Sequence, residues 1–418
     1  AEPVEGLDMN YLQASNVNIA IDSFYNCGTA IRVPIKRFTV EERSGLKLSE
    51  ASGTFAMDDN GMMLDKFHIA TLLSQLSADG YVSNGFLAGD PMGDVQLKLE
   101  AKVGLAEVER AMPSLRTVLS MIPQYRPVEA RVNISGTASK LDIEACEIAL
   151  PRYATVSVAG DVENPMSADK LALDVAMRGQ FDNINFIKPT MLEAEQQKTV
   201  HFPPLMLDGK VKMRGDDVKG ALSLALPSGQ MALDADWAGR TTDYALSLQV
   251  DSLPLKALLP LSDFGLLSAR VDAKGHGIDI FDKKTAIEAY INIDNFEMGG
   301  VNYNLRANPT LRNGNFNLNM LTDNDVIALK LNARGSISPD VYNVKMAADV
   351  EHIDLQRMGM SETVMQGRAN IVCDGSVDLS TATYGGTLGI NNLGWTMDEN
   401  YYYADAIDLD FESDTVHT

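Results

Sequence analysis

Hydrophobic and polar residues alternate along most of this chain, which is the pattern of β-strands with one apolar and one polar face. The stretch at residues 220–239, GALSLALPSGQMALDADWAG, shows the alternation most clearly. Leu222, Leu224 and Leu226 share one face of a strand, and after a Pro-Ser-Gly turn the alternation resumes at Met231. This stretch predicts a β-hairpin whose two strands share one apolar face.

The same period of two recurs over much of the chain and is interrupted by short turn sequences. The turn signals include DDNG at 58–61, NGN at 313–315, DNDV at 323–326 and SPD at 338–340. Asn, Asp, Gly and Pro at such positions favour tight turns between neighbouring strands. The pattern therefore predicts a mostly β protein built as an antiparallel meander.

Helical periodicity is rare and predicts only a few short capping helices. The longest apolar helical face is interrupted by Pro113 and consists of Leu105, Val108, Met112, Leu115, Leu119 and Ile122. Two shorter apolar segments, at 183–197 and 253–267, each lie between alternating strands. These three places are where we expect helices.

A short motif recurs along the chain and predicts irregular repeats. It reads RVNISG at 131–136, KVKMRG at 210–215 and RVDAKG at 270–275, with a looser copy, RANIVCDG, from Arg368. Stacked repeats of this kind favour an elongated body. We expect one continuous repeat-built region over 1–418, with units at approximately 1–130, 131–209, 210–269, 270–367 and 368–418.

The apolar faces of these strands must be buried or occupied, and the residues alone leave three arrangements open. They could pack as a sandwich, close into a barrel, or line a trough formed by a long, strongly curled antiparallel sheet. Twenty methionines favour a lining that adapts to irregular apolar partners. The candidate lining residues are Leu97, Leu99, Leu173, Val175, Leu222, Leu224, Leu226, Leu233, Leu246, Leu248, Val250, Ile327, Leu329, Leu331, Val344 and Met346.

Composition excludes several classes of partner. Hydrophobic residues make up 45% of the chain and charged residues 22%, and the formal net charge is −22. Nucleic-acid binding rests on cationic contacts to phosphates, so we expect no nucleic-acid partner, and anionic membranes are disfavoured for the same reason. No segment has the apolar length of a transmembrane helix, and no signal peptide opens the sequence.

A search for reactive groups predicts no catalytic, cofactor or metal site. The histidines show no HxH or HExxH spacing, and neither GxSxG nor GxGxxG occurs. The acidic turns lack the spaced ligands of a calcium loop, and hairpin turns explain them better. Cys27, Cys146 and Cys373 are expected to be small buried hydrophobic residues in strands. The first residue is not Met, and we expect an internal piece of a larger protein.

Three stretches resemble the periplasmic region of TamB-type proteins from Bacteroidetes, which belong to the translocation and assembly module and to the wider AsmA-like superfamily. The first is the strand-turn-strand pattern of 11–59, which leads into ERSGLKLSEASGTFAMDDNGMMLDKFHI at 42–69. The others are PPLMLDGKVKMRG at 203–215 and the segment at 253–281. The likeness covers essentially the whole chain and rests on strand patterns.

The resemblance implies a bridge-like lipid transfer protein of the Gram-negative cell envelope. In that family a curled β-sheet forms an apolar groove (a β-groove) that carries phospholipids between inner and outer membranes and supports outer-membrane biogenesis. The inner-membrane anchor and the contact with an Omp85-type outer-membrane barrel would lie outside this chain. Two alternatives stay open: a periplasmic assembly factor that pairs its strand edges with outer-membrane proteins, and an enzyme or glycan-binding β-protein.

Overall fold

The structure is a computed structural model that describes residues 6–8, 11–123 and 125–413. Strands account for 65% of the chain and helices for 9%, so the mostly β class with a few short helices is confirmed. The strands pair in an antiparallel manner, and the sheet does not close into a barrel. The chain divides into two compact units, Ala1–Gly215 and Asp216–Thr418, which we call unit 1 and unit 2.

The described part of unit 1 contains thirteen strands, and from β5 onward each pairs with the next. The long strand β3 pairs with β1, β2, β4 and β5. The strands are β1 Ala14–Ile21, β2 Tyr25–Cys27, β3 Ala30–Glu42, β4 Lys47–Leu48, β5 Glu50–Met57, β6 Gly61–Ala70, β7 Gln75–Ser83, β8 Asp94–Val103, β9 Val128–Thr137, β10 Lys140–Leu150, β11 Ala154–Glu163, β12 Ala172–Phe181 and β13 Leu205–Arg214. Its helices are α1 Asn84–Ala88, α2 Leu105–Ala111, α3 Arg116–Leu119, α4 Lys188–Met191 and α5 Gln196–Thr199.

Unit 2 is an uninterrupted meander of twelve strands in its described residues, each antiparallel to the next. The strands are β14 Asp217–Leu226, β15 Gly229–Ala238, β16 Asp243–Pro254, β17 Phe264–His276, β18 Ala286–Met298, β19 Val301–Arg312, β20 Asn315–Asp323, β21 Ile327–Ile337, β22 Val341–Asp354, β23 Met365–Asp378, β24 Thr383–Met397 and β25 Asn400–Ser413. One short helix, α6 Leu255–Leu258, lies between β16 and β17.

The predicted turns lie between neighbouring strands, and their side chains show why. Asp58 accepts hydrogen bonds from the backbone N–H groups of Asn60, at 2.8 Å, and Gly61, at 3.1 Å, and so closes the β5–β6 hairpin. Asn313 and Gly314 both have positive φ, as a two-residue hairpin turn requires. The acidic turns are therefore hairpin turns, as the sequence predicts.

Helices occur at all three predicted places, and we call the connections that hold them caps. The first cap holds α2 and α3 separated by a 3₁₀ turn at Pro113–Leu115, and Leu105 and Leu119 are its buried apolar residues. The second holds α4 and α5, the third holds α6, and a helix-free fourth connection spans residues 355–364. Three of the repeated motifs begin in the strands that follow the three caps, β9, β13 and β17, and the fourth lies in β23, which follows the helix-free connection.

The first cap is held to the sheet by a buried carboxylate. Glu107 accepts hydrogen bonds from the hydroxyl of Ser74, at 2.6 Å, and the backbone N–H of Leu73, at 3.1 Å, and also from the hydroxyl of Thr71. Burial raises the pKa of the Glu107 carboxyl, but the hydrogen bonds from Ser74 and Thr71 outweigh burial and hold that pKa below its usual range. The charged carboxylate therefore joins the β6–β7 turn to α2.

The structure corrects the expectation that the three cysteines are buried. Cys27 is exposed at the end of β2, which is too short to bury it. Cys146 and Cys373 are half-buried in β10 and β23, and all three thiols are free. Cys27 is thus not a buried hydrophobic residue.

A line of β-bulges crosses unit 2. Register shifts fall between β16 and β17, β17 and β18, β18 and β19, β21 and β22, β22 and β23, and β23 and β24. The shifts lie at the same height along neighbouring strands. They fall next to the paired residues Val250 and Ala269, Ala269 and Ile293, and Leu329 and Val350. A bulge bends its strand and increases the local twist, so the sheet of unit 2 is creased along this line.

Candidate functional site

One unbroken row of apolar residues crosses all twelve strands of unit 2. In the order of the strands, each member facing the next, the row is Leu222, Leu233, Leu248, Val271, Ile291, Ala307, Met320, Leu331, Ala348, Ile371, Ile390 and Ile407. Partner residues on antiparallel strands point to the same side of the sheet. We call the side that carries this row the apolar face and the other side the polar face.

All twelve candidate residues of unit 2 lie on this apolar face. Parallel rows carry the members outside the central row, for example Leu224 with Met231 and Val250, and Leu329 with Val350. Leu226 and Val250 are 8% and 4% exposed, and the other ten are half-buried. Residues on the polar face of the same strands are mostly exposed.

The four candidates of unit 1 also share one face of their sheet. Leu97 and Val175 belong to the row Val33, Phe55, Leu64, Gly80, Leu97, Ile134, Ile143, Gly160, Val175 and Val211. Leu99 and Leu173 lie in the two rows on either side of it. We call this side the apolar face of unit 1.

The apolar faces are partly open to solvent. On unit 1, Ile148 is 55% and Val156 41% exposed, and on unit 2 Leu409 is 49% exposed. Within each unit the described strands all belong to one sheet, so no second sheet of the same unit covers its apolar face.

Aromatic rings pack closely against glycines on the apolar faces. A Cβ built at Gly179 would come within 2.6 Å of the Phe181 ring, and one at Gly275 within 2.6 Å of the Tyr244 ring. The same arrangement occurs at Gly386, where a Cβ would be 2.9 Å from a Phe411 ring carbon. A side chain at these positions would collide with the rings, so glycine is required for this packing.

Sequence reasoning missed eight of the twelve members of the unit 2 row. Val271, Ile291 and Met320 were not among the candidates, although each continues the same alternation. The alternation of apolar and polar residues is less clear on these strands. Small residues such as Ala307 occupy positions on the apolar face, and Tyr290 places an aromatic ring on the polar face. Strand register, not hydrophobicity alone, identifies these residues.

Cross-strand ion pairs cover the polar faces. In unit 1, Asp174 lies 2.7 Å from the Lys212 Nζ and 3.7 Å from the Lys210 Nζ, and the hydrogen bond from Lys212 lowers the pKa of its carboxyl. In unit 2, Glu288 pairs with Lys274 and Arg312, and these contacts lower its pKa in the same way. The contacts with these cations therefore favour the charged form of the Asp174 and Glu288 carboxyls.

The titratable side chains of the described residues include a His–Asp pair and no group suited to a metal ion. In the part of the chain that the structure describes, no group of three or more His, Cys, Asp or Glu residues could hold a metal ion. The His276 Nδ1 lies 2.9 Å from Asp243 Oδ1, and hydrogen bonds from Thr241 and His276 lower the pKa of Asp243. Both side chains of this pair are exposed at the ends of their strands.

Helices of the described residues do not reach the length and apolarity needed to cross a membrane. Comparison of the chain with protein-family models, curated proteins and solved structures gave no match. The fold itself defines the class: open antiparallel sheet in each unit, with one apolar and one ion-paired face.

Proposed function

We propose that this chain is a periplasmic segment of a TamB-type, AsmA-like lipid transfer protein, which carries phospholipid acyl chains on its apolar faces. The observation that carries the proposal is the apolar row that runs through every strand of unit 2 and is not covered by a second sheet of that unit. In this proposal the protein is not an enzyme, and the lipids move between inner and outer membranes in support of outer-membrane biogenesis.

The exposed part of the apolar faces favours a ligand over an ordinary core. Fully burying a large aliphatic side chain is worth about 1.5–3 kcal/mol, and half-buried residues leave part of that free energy unused. An acyl chain lying across the strands would recover it at about 0.8 kcal/mol per buried methylene. Contacts with Leu, Ile, Val and Met side chains are non-directional, so the apolar face would bind different acyl chains with similar affinity. This property suits the transport of many lipids rather than the recognition of one.

The absence of charges from the apolar row indicates where the lipid head groups would lie. None of the twelve residues of the apolar row, from Leu222 on β14 to Ile407 on β25, is charged. A charged head group would therefore find no side chain in the row with which to form an ion pair. Head groups would therefore stay at the open, hydrated side of each apolar face. The resemblance adds that an inner-membrane anchor and an Omp85-type barrel would be contacted by regions outside this chain.

A pair of adjacent positions tests the proposal directly. Leu224 is half-buried on the apolar face of β14, and Ala225 is exposed on the polar face of the same strand. A photo-crosslinking amino acid at 224 should capture phospholipid in Gram-negative cells, and the same group at 225 should not. Native mass spectrometry of gently purified protein should also detect bound phospholipid. Absence of lipid adducts at 224, or equal capture at both positions, would refute the proposal.

A second candidate function rests on the edge strand of unit 2. β25 is fourteen residues long and largely exposed, and within the described residues it pairs on one side only, with β24. Such an edge can template a strand of another protein, as an outer-membrane assembly factor would. However, Asp405, Asp408 and Asp410 place charges along it, and charged edges discourage strand addition.

The same crosslinking strategy distinguishes the two functions. A crosslinker at Leu409 on β25 should capture outer-membrane protein strands if the edge is used for assembly. Replacement of Asp408 by Pro, which removes a backbone donor from the edge strand, should then abolish capture. Protein adducts at 409 that survive this replacement would exclude strand addition.

A further inference from the structure

On the polar face of unit 2, a row of residues without charges spans the five strands β19 to β23, and the neighbouring rows contain charged residues. Asn308 on β19 faces Asn319 on β20, and Asn319 faces Asn332 on β21. All three side chains are exposed, and we call these residues the amide lane. The row continues without charge through Ala347 on β22 and Val372 on β23.

The amides of this lane are available to a ligand. Among the described residues, the side chains of Asn308, Asn319 and Asn332 make no hydrogen bond with another protein group. Other polar-face asparagines of unit 2 do, for example Asn370, which donates to Asp349 at 2.8 Å. Each free amide offers two donors and a carbonyl acceptor.

An exposed aromatic ring lies at one end of the lane. Tyr290 on β18 is 41% exposed and lies at the level of Asn308, between the paired positions Glu288–Thr310 and Ile291–Ala307. A tyrosine ring presents an apolar surface with a polar tip. Such a ring beside free amides can pack against one face of a sugar while the amides reach its hydroxyls.

Two cations without carboxylate partners flank the lane. Arg306 precedes Asn308 by two residues, and Arg334 follows Asn332 by two residues, so both point to the polar face. In the described part of the chain neither guanidinium forms an ion pair, and the Arg306 Nε donates to the Asn292 Oδ1 at 3.3 Å. In a chain of net charge −22, two uncompensated arginines mark a place suited to anionic groups.

Two lysines near the amide lane, unlike Arg306 and Arg334, form ion pairs with carboxylates. Lys345 lies 2.7 Å from Asp374, and Lys330 lies 2.6 Å from Glu351. Both lysines lie on strands beside or within the amide lane, so carboxylates are within reach of cations in this region. Among the cations that the structure describes on β19 to β22, Arg306 and Arg334 lack such partners.

We propose that the amide lane binds an extended, β-linked glycan chain that carries acidic groups. Neighbouring strands are about 4.8 Å apart, which is close to the rise per sugar of such a chain, so successive asparagines would meet successive sugars. The amides bond the hydroxyls, the Tyr290 ring packs on a sugar face, and Arg306 and Arg334 hold the acidic groups. The lane lies on the opposite side of the sheet from the apolar face, so this site is independent of lipid binding.

Two oligosaccharides with the same backbone test the proposal on the whole purified chain. The probes are a β-1,4-linked glucuronate hexamer and its neutral counterpart, cellohexaose, with affinities measured by calorimetry in 150 mM salt, roughly physiological ionic strength. We expect the acidic hexamer to bind at least about tenfold more tightly than the neutral one, because each arginine adds a charge-assisted contact. Equal affinities would overturn the role of the arginines, and absence of saturable binding of the acidic hexamer would overturn the site.

Matched variants locate the binding. The double variant R306Q/R334Q should lose at least about tenfold in affinity for the acidic hexamer while its affinity for cellohexaose stays unchanged, and N319A should weaken both probes. The control is K219Q, which removes a polar-face cation of unit 2 that is paired with Asp236 at 2.7 Å. Full binding by N319A, or an equal loss in K219Q, would contradict the proposal.

Discussion

Replacing Leu248 by Asp places a charge in the middle of the apolar row of unit 2. Leu248 is half-buried on β16 and faces Leu233 on one side and Val271 on the other. The next residue, Gln249, is exposed on the polar face of the same strand. Gln249→Asp therefore adds the same carboxylate to the same strand, on the side away from the proposed ligand.

The fall in lipid affinity is set by how much of the acyl chain returns to water. An acyl chain crossing the row would no longer touch the Leu248 side chain, and the carboxylate would keep water beside its neighbours. Exposing two or three methylenes, at about 0.8 kcal/mol each, weakens binding by about 2 kcal/mol. That corresponds to roughly a thirtyfold loss of affinity.

The assay is the amount of phospholipid that copurifies with each variant, measured by mass spectrometry after gentle extraction and organic phase separation. Urea unfolding followed by circular dichroism serves as the folding control, because a charge on a half-buried position also destabilises a strand. We expect Leu248→Asp to keep a cooperative transition and lose most of its lipid, and Gln249→Asp to resemble the unmodified chain.

Two results would refute the reasoning. If both variants retained equal lipid, the apolar face of unit 2 would not be the binding surface. If Leu248→Asp failed to fold at all, Leu248 would lie in a closed core, since an open face lets the carboxylate stay hydrated. Leu248→Ala would then distinguish a closed core from a half-open face. Truncation to alanine lowers the free energy of unfolding by about 2–5 kcal/mol in a closed core and by less on a half-open face.

The remaining predictions concern the caps, the floor and the polar face. Glu107→Gln should destabilise the first cap by about 1–3 kcal/mol, because an amide nitrogen would face hydroxyls that now donate, and hydrogen exchange in the β6–β7 turn should quicken; unchanged exchange would show that Glu107 does not hold this turn to α2. Gly179→Ala should cost about 1–3 kcal/mol by displacing the Phe181 ring, and this cost should fall sharply in a Phe181→Ala background; additive costs would contradict the packing. Because contacts with Lys274 and Arg312 lower the pKa of Glu288, its stabilising effect is present above the unfolded pKa near 4 and is lost as pH falls through the lower folded value. The difference in urea midpoint between Glu288→Gln and the unmodified chain should therefore vanish at acidic pH, and a difference independent of pH would exclude the ion pairs as its cause.

Strands and turns were predictable from sequence because their signals are local. The hairpin of β14 and β15 follows directly from alternation on both sides of a turn, and Leu222 faces Leu233 as that pattern requires. Asn313 and Gly314 likewise specify their own turn, since both must adopt positive φ. These features depend on neighbours within a few residues.

Register beyond the bulges was not predictable, because a bulge shifts all later pairings by one residue. Ser252 adopts φ 46° inside β16, and nothing in the surrounding sequence distinguishes it from other exposed serines. The exposure of Ile148 could not be predicted either, since its sequence context matches that of half-buried floor residues. How far an apolar face is covered depends on contacts distant in sequence.

The spacing of the caps has a consequence for how such a chain can change in length. Four strands separate the first cap from the second (β9 to β12), and four separate the second from the third (β13 to β16). Six strands separate the third cap from the connection at 355–364 (β17 to β22), which is one hairpin more. Inserting a hairpin adds two strands and preserves the side to which every later residue points, so it widens a sheet by about 10 Å without disturbing either face. Duplication of single hairpins is thus a route by which evolution could fit proteins of this architecture to different spans.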